Sequence, residues 1–217
     1  ILRRQAIVNP NLLFTYRSQS EDGSFSVREF RYENGITDYV QEIVGDKAMT
    51  SIQHWQCEKK GRDRADKPEY KVRINVALTF SNQIKLTEFY HNSSFLEHGG
   101  SPERAVRQAF VSQIDSYLKQ NSKYLKNESK ITYADIEDCL VLVSSGFSTQ
   151  TSYENQTKKA ITNKFIYEAM TEFLKHQIEV YFIENPDEAT RICEQILVNK
   201  RSRENAERTR LNLKKKL

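Results

Sequence analysis

The sequence predicts an α+β fold, an α/β sandwich in which one sheet packs against helices. Strand candidates show alternating apolar and polar residues, whereas three longer segments carry apolar residues at the spacing of one helix face. The chain has 217 residues, of which 38% are hydrophobic, including eleven Phe and eleven Tyr. That content is enough for a buried core and is too high for a disordered chain.

The first segment predicts the end of a helix followed by a β-hairpin. Residues 1–6 are typical of the last turns of a helix, and no initiator Met precedes them, so we expect a fragment of a longer polypeptide. Alternating residues in 12–16 and 25–32 predict two strands. Asp22-Gly23 lies between them and favours a tight turn.

The middle of the chain predicts a short helix and three strands. Residues 35–44 place their apolar side chains on one helix face, and 52–57 form a weakly patterned strand. The charged segment 59–68 predicts an exposed loop. The clearest strand is 70–80, where alternate residues are polar, so we expect one face to be wet. Residues 84–91 then predict its antiparallel partner in a meander.

The second half predicts a buried strand between long helices. Ser101-Pro102 is a favourable helix start, and the continuous apolar run 139–143 predicts a central strand that is buried on both sides. Residues 165–181 predict an amphipathic helix that packs on the core. Asn185-Pro186 starts a last helix whose apolar stripe fades after Val198. We therefore expect the end of this helix to project from the domain.

The basic excess of the chain lies in its last residues. Residues 199–217 carry eight Lys and Arg side chains and two Glu, whereas the other residues carry 25 basic and 27 acidic side chains. An exposed basic helix is commonly no more than a solvated surface. The functional alternative is sequence-independent contact with DNA phosphates.

The cysteines and histidines predict no metal site. The three cysteines are widely spaced and lack a Cys-x-x-Cys pair, which favours buried thiols in a reducing compartment. No apolar run approaches the length of a membrane span, and no signal peptide opens the sequence. We expect a cytoplasmic protein without membrane contact.

A polar loop, residues 153–163, separates the apolar strand from the helix that follows it. Its centre, Gln156–Lys158, places an amide, a hydroxyl and an ammonium at consecutive positions. Amide and ammonium groups donate to phosphate oxygens. A lysine in a polar loop is more often a solvated surface residue, so this pattern alone does not establish a site.

Four motifs in order resemble the ATPase subunits of type IIA DNA topoisomerases, the gyrase B and topoisomerase IV B family. Gln156–Lys158 is similar to the Gln-Thr-Lys loop of that family. Glu97–Ser101 resembles its Glu-Gly-Gly-Thr turn, and Asp135–Val141 resembles the segment leading into its central strand. Tyr32–Ile36 is similar to its Tyr-x-Gly-Gly-Ile segment.

The resemblance implies the transducer domain of that family, a ribosomal-protein-like fold. This fold has a four-stranded sheet, helices on one face and a left-handed β-α-β crossover. The implied division assigns 1–34 to the junction with an upstream ATP-binding domain and 35–184 to the transducer. Residues 185–217 would then be a long protruding helix that leads toward a TOPRIM domain.

The resemblance also implies roles for the polar loop. Lys158 would contact the γ-phosphate of ATP, which is held with Mg²⁺ mainly by the upstream domain, and Gln156 would support it. Thr157 and Asn155 would shape the loop. Asn155 stands where many relatives have Gly, and Asn tolerates the left-handed conformation. We expect no catalytic residue in this fragment, which alone should not hydrolyse ATP.

The implied partners are duplex DNA, the ATP-binding and TOPRIM domains of the same chain, and a gyrase A or topoisomerase IV A type subunit. The predicted DNA-facing residues are Lys200, Arg201, Arg203, Arg208, Arg210, Lys214, Lys215 and Lys216. Two alternatives stay open. One is a free-standing nucleic-acid-binding module of ribosomal-protein-like fold, and the other is the middle domain of a different GHKL ATPase, such as a mismatch-repair or chaperone protein.

Overall fold

The computed structural model describes residues 1–214, which form seven strands and six α-helices. The strands are β1 (Phe14–Gln19), β2 (Phe25–Phe30), β3 (Gln53–Gly61), β4 (Tyr70–Phe80), β5 (Leu86–His91), β6 (Ser94–Phe95) and β7 (Leu140–Ser148). The helices are α1 (Leu2–Val8), α2 (Ile36–Val44), α3 (Ser101–Gln120), α4 (Tyr133–Glu137), α5 (Lys164–Glu184) and α6 (Pro186–Lys214). The predicted α+β class is confirmed.

The main sheet has five strands in the order β3-β4-β7-β5-β6. The four-stranded expectation is corrected by β6, a two-residue strand that pairs with the end of β5. The predicted meander of β4 and β5 is wrong, because β7 inserts between them. Strand β7 pairs antiparallel with β4 and parallel with β5. The connection from β5 to β7 passes through α3 and α4. The left-handedness of this crossover stays a prediction.

The central position of β7 agrees with its continuous apolar sequence. Leu140 to Val143 have no exposed surface. Leu140 and Leu142 belong to the larger core, which is formed with α3, α5 and α6, whereas Val141 and Val143 pack with α2 on the opposite face. A strand that is buried on both faces does not need a polar alternation.

Helices cover both faces of the sheet, so the expectation of helices on one face is corrected. The side chains of Ile36, Tyr39 and Val40 on α2 pack against Ala77 of β4, Tyr90 of β5 and the outer valines of β7. The predicted wet face of β4 is therefore confined to its first half, where Lys71 and Arg73 are exposed. Five alternate residues of β4, from Val72 to Phe80, face the larger core.

The peripheral elements agree with the sequence pattern except at β3. The hairpin of β1 and β2 forms its own two-stranded sheet, with the turn at Gly23. The strand β3 continues through Gly61, whereas 59–61 were predicted to belong to an exposed loop. In residues 1–214, no helix combines the length and the apolar character needed to cross a membrane.

Candidate functional site

The polar loop (Tyr153–Asn163) connects β7 to α5 and presents its centre to solvent. Gln156, Thr157 and Lys158 are all exposed. The Asn155 side-chain oxygen accepts hydrogen bonds from the backbone N–H of Thr157, at 3.1 Å, and from its hydroxyl. The N–H of Lys158 donates to the carbonyl oxygen of Asn155 at 3.3 Å. Asn155 and Thr157 thus close a tight turn, as an Asx turn does, and Lys158 ends it.

Lys158 is the residue of this turn with a left-handed backbone, at φ +56°. Asn155, which stands where many relatives have Gly, does not have a positive φ. A non-glycine residue in this region carries strain on the order of 1 kcal/mol. The contacts of the surrounding turn hold Lys158 in this conformation.

The Lys158 ammonium projects from the domain without a carboxylate partner among residues 1–214. Its Nζ lies 5.6 Å from the ring centroid of Tyr153, within the range of a cation–π contact. Such a contact at an exposed position is weak, and it leaves the ammonium protons available. The geometry leaves the ammonium accessible to an anionic group.

A short ladder braces the base of the polar loop. Tyr153 and Ile161 form an antiparallel bridge, and the N–H of Glu154 donates to the carbonyl of Ala160 at 3.0 Å. The N–H of Thr162 donates to the carbonyl of Ser152 at 2.8 Å. The tip of the loop is therefore exposed while its two legs are fixed to one another.

The leg that enters α5 is anchored by Asp63, a residue in the connector between β3 and β4. The amide of Asn163 donates to Asp63 at 2.8 Å and to the Tyr70 hydroxyl at 3.1 Å. Asp63 also accepts from the backbone N–H of Phe165, at 2.8 Å, in the first turn of α5. Sequence reasoning missed Asp63, because nothing in its charged neighbourhood distinguishes it.

The leg that leaves β7 is anchored by a buried histidine. The His91 Nε2 lies 2.8 Å from the Ser148 hydroxyl oxygen, and this hydroxyl donates to the carbonyl of Gln150 at 2.6 Å. The imidazole must therefore donate from Nε2, which leaves Nδ1 unprotonated and without a partner in residues 1–214. Burial lowers the pKa of His91 to about 4. The ring is neutral at physiological pH.

The glycine turn (Glu97–Ser101) contacts the second leg of the polar loop. Lys159 forms an ion pair with Glu97, which lowers the pKa of that carboxyl. The N–H of His98 donates to the Lys159 carbonyl at 2.9 Å, and the N–H of Ser101 donates to the Ile161 carbonyl at 2.8 Å. Two motifs that lie about sixty residues apart in the sequence thus form one structure.

The first helix reaches the same edge of the sheet. The amide of Gln5 on α1 donates to the carbonyl of Ser93 at 3.0 Å, and the Arg4 guanidinium lies 3.8 Å from the ring centroid of Phe95. Both contacts fall on the β5–β6 turn and β6, which precede the glycine turn directly. The polar loop, the glycine turn and the N-terminal segment are therefore connected through β6.

Comparison with known proteins identifies the family. The sequence pattern of the DNA gyrase B family matches residues 35–212. The chain belongs to the DNA gyrase B family. This result confirms the resemblance and favours the gyrase B family over the middle domain of another GHKL ATPase.

Two relatives illustrate the similarity of this gyrase B family member. The DNA gyrase B protein of Metamycoplasma arthritidis is 30% identical over 179 residues, which cover 82% of this chain and 28% of that protein. The DNA gyrase B protein of Thermotoga maritima is 24% identical over 216 residues, covering 99% of this chain and 33% of that protein. The chain spans about a third of the length of these relatives.

Solved structures show the same fold at lower sequence identity. The 43K ATPase domain of Thermus thermophilus gyrase B, in complex with an aminocoumarin, superposes with a TM-score of 0.71 at 17% identity, covering 96% of this chain and 54% of that one. The topoisomerase IV ATP-binding domain of Francisella tularensis gives 0.65 at 20% identity, over 93% and 52%. These likenesses support the shared fold.

The predicted DNA-facing residues on α6 divide into two groups. Lys200 has no exposed surface, and Arg201 and Arg203 form ion pairs with Glu128 and Asp135. Lys200 therefore does not lie on a DNA-accessible surface. The exposed members of the set are Arg208, Arg210 and Lys214. Lys215 and Lys216 lie outside the described residues.

Proposed function

We propose that this chain is the transducer of an ATP-dependent type II DNA topoisomerase. In this proposal, Lys158 contacts the γ-phosphate of ATP, which is held with Mg²⁺ by an ATP-binding domain outside this chain. Gln156 supports that contact with its side-chain amide. The observation that carries the proposal is the exposed Lys158 ammonium, which has no carboxylate partner among the described residues 1–214, on a loop that is braced on both legs.

The Lys158 contact can act as a sensor because its free energy depends on the negative charge of the terminal phosphate. Two unit charges about 4 Å apart interact by roughly 4 kcal/mol at an effective dielectric constant near 20. A contact made only with the terminal phosphate is lost after hydrolysis. It therefore biases the orientation of two domains by its own differential free energy.

The contacts of the loop provide a route for this bias. A force on Lys158 is passed to Lys159 and Ile161, which hold the glycine turn at the start of α3. The same loop enters α5 through Asn163 and its Asp63 anchor. Both long helices pack on the sheet and on one another. The tip and the helical layer should therefore move together.

The wider assembly belongs to the same proposal. Residues 1–34 join the ATP-binding domain, 35–184 form the transducer, and 185–217 lead to a TOPRIM domain. The proposed assembly also contains a gyrase A or topoisomerase IV A type subunit and duplex DNA. It acts in the cytoplasm. The N-terminal segment supports this arrangement, because α1 packs beside the β5–β6 turn, which directly precedes the glycine turn.

The decisive experiment replaces Lys158 by alanine in the full-length protein with its partner subunit. ATP-driven strand passage, measured on plasmid topoisomers, should fall by about a hundredfold if most of the roughly 4 kcal/mol contact is lost. Lys164→Ala is the matched control, because Lys164 is an exposed lysine whose described ion pair is with Glu168, one helical turn away. Wild-type strand passage by Lys158→Ala would reject the sensor role.

A further inference from the structure

The base of the exposed end of α6 is fastened to the preceding fold by an ion network. We define the α6 ion network as Glu128, Asp135, Lys200, Arg201, Arg203 and Glu204. The Lys200 ammonium lies 3.0 Å from Glu128 and 3.2 Å from Glu204. Its side chain is fully buried, and the Glu128 side chain is 7% exposed. A lysine with no exposed surface requires such partners.

Arg201 completes the environment of Glu128. Its Nε and Nη2 donate to the two carboxylate oxygens at 3.0 and 3.1 Å, which is a bidentate arrangement. The backbone N–H of Leu125 donates to the same carboxylate at 2.7 Å. The loop before α4 is thus bound to one side of α6.

Arg203 binds the start of α4 in the same way. Its Nε and Nη2 donate to the two oxygens of Asp135 at 2.7 and 3.1 Å. The backbone N–H and hydroxyl of Thr132 also donate to Asp135, at 2.7 and 2.9 Å. Asn199 adds a bond to the Asp135 carbonyl at 3.0 Å. The helix cap of α4 is therefore shared with α6.

The position of Asp135 connects this network to the polar loop. The short helix α4 leads directly into β7, and the polar loop follows the other end of β7. This nine-residue strand is paired on both edges and spans roughly 26 Å at about 3.3 Å per residue. One stiff strand thus has the polar loop at one end and the ion network at the other.

The network marks the place where α6 leaves the fold. The last buried residue of α6 is Lys200, and residues 205–214 are all exposed. The apolar contacts of α6 before this point are non-directional. Bidentate guanidinium–carboxylate pairs have a fixed geometry, so they determine the rotation and direction of the helix. A buried ion pair is weak evidence for added stability, and in some proteins it specifies one arrangement over others.

We propose that Glu128 and Asp135 are positioning residues that lock the direction of α6 to the end of β7. A displacement of β7 is then passed to the exposed half of α6 as a rotation about the network. This inference rests on the proposed transducer function. It adds to that function a connection from the end of β7 to the exposed half of α6. The residues that carry it lie at the opposite end of β7 from Lys158.

The test uses Arg203→Gln in the full-length protein with its partner subunit. Asp135 is buried in a helix cap, so its replacement would endanger folding, whereas the Arg203 side chain is 37% exposed. Arg203→Lys keeps the charge and should restore part of the effect. Arg191→Gln is the control, because it makes the same charge change at an exposed position of the same helix.

Two measurements report on the proposal. Pulsed electron spin resonance between labels at Thr209 and Gln83, both exposed, should show a broadened distance distribution in Arg203→Gln. The number of strand passages per ATP hydrolysed should fall about tenfold, because a Gln amide can replace at most one of the two charge-assisted hydrogen bonds from Arg203 to Asp135. The ATP hydrolysis rate should stay at the wild-type value.

The outcomes separate this inference from the function on which it rests. An unchanged distance distribution overturns the locking role, whatever the activity. A broadened distribution with an unchanged ratio of strand passage to hydrolysis overturns the coupling role. Failure of the transducer function itself is recognised separately, by wild-type strand passage in Lys158→Ala.

Discussion

At Gly100 the backbone of the glycine turn touches the backbone of the polar loop. The φ of Gly100 is +88°, and a Cβ atom there would lie 2.2 Å from the Ile161 carbonyl oxygen. The hydrogen bond from the Ser101 N–H to the same carbonyl holds the two segments at this distance. A side chain at position 100 would separate the two motifs.

Gly100→Ala should therefore destabilise the protein by more than the backbone strain of an alanine at positive φ alone. Gly23→Ala is the matched control, because Gly23 has a similar φ of +82° and a Cβ atom added there would have no neighbour within 4 Å. The excess loss in unfolding free energy should be about 2 kcal/mol, as expected for an overpacked contact against backbone. Urea denaturation measures both variants, and equal losses would contradict the close approach.

His91 predicts a pH dependence of stability. Its pKa is lowered from 6.5 to about 4 by burial, so the folded protein binds fewer protons than the unfolded chain between these values. The free energy of unfolding should fall as the pH drops from about 6.5 to 4, by up to about 3 kcal/mol. The pKa of the Glu128 carboxyl is lowered to about 2 by Arg201. Its contribution to the free energy of unfolding is therefore lost only as the pH falls from about 4.5 toward 2.

His91→Gln should remove the upper part of this dependence. A glutamine amide can donate to the Ser148 hydroxyl, but it does not titrate. Chemical denaturation of both proteins at a series of pH values from 7 to 4 measures the difference. An unchanged slope in the variant would show that His91 is not the group responsible.

Among the elements, α6 combines two kinds of surface along 29 residues. Its first part buries an apolar stripe, Ala189, Ile192, Cys193, Ile196 and Leu197. The ion network follows, and the exposed part comes last. Arg201 and Arg203 of the network are paired with carboxylates. The number of unpaired basic side chains on α6 is therefore smaller than a count of its Lys and Arg residues suggests. The exposed cations among the described residues of α6 that follow the ion network are Arg208, Arg210 and Lys214.

The exposed cations of α6 should bind duplex DNA through its phosphates. Replacing Arg208, Arg210 and Lys214 by Gln should lower the slope of log affinity against log salt by about 2 to 3. The control replaces Arg62, Arg64 and Lys67 by Gln, three cations of the exposed β3–β4 connector. Fluorescence anisotropy with a labelled duplex measures both slopes. An equal effect of the two sets would contradict a specific DNA-facing surface.

At the scale of the whole molecule, β7 unites the features that the proposals use. It is hydrogen-bonded to β4 and β5 and buried on both faces. The polar loop leaves one end, and the segment that binds α6 enters the other. A strand so enclosed has little freedom to bend independently, so the two ends should be displaced together.

Local periodicity was sufficient to predict most elements and the candidate loop. The apolar run that became β7, the stripe of α5 and the Pro186 start of α6 depend on neighbours within a few residues. The exposed ammonium of Lys158 likewise follows from a polar stretch without apolar residues. These features are recorded in the sequence, because helix and strand patterns repeat over short distances.

The strand order, the second helical face and the ion network were decided by tertiary structure. Insertion of β7 between β4 and β5 depends on pairing across the β5–α3–α4 connection, and Asp135 meets Arg203 across 68 residues. The basic character of residues 200–203 was visible in the sequence, but their carboxylate partners were not. Such pairs are selected by which surfaces meet in the folded chain, and spacing along the chain does not encode that choice.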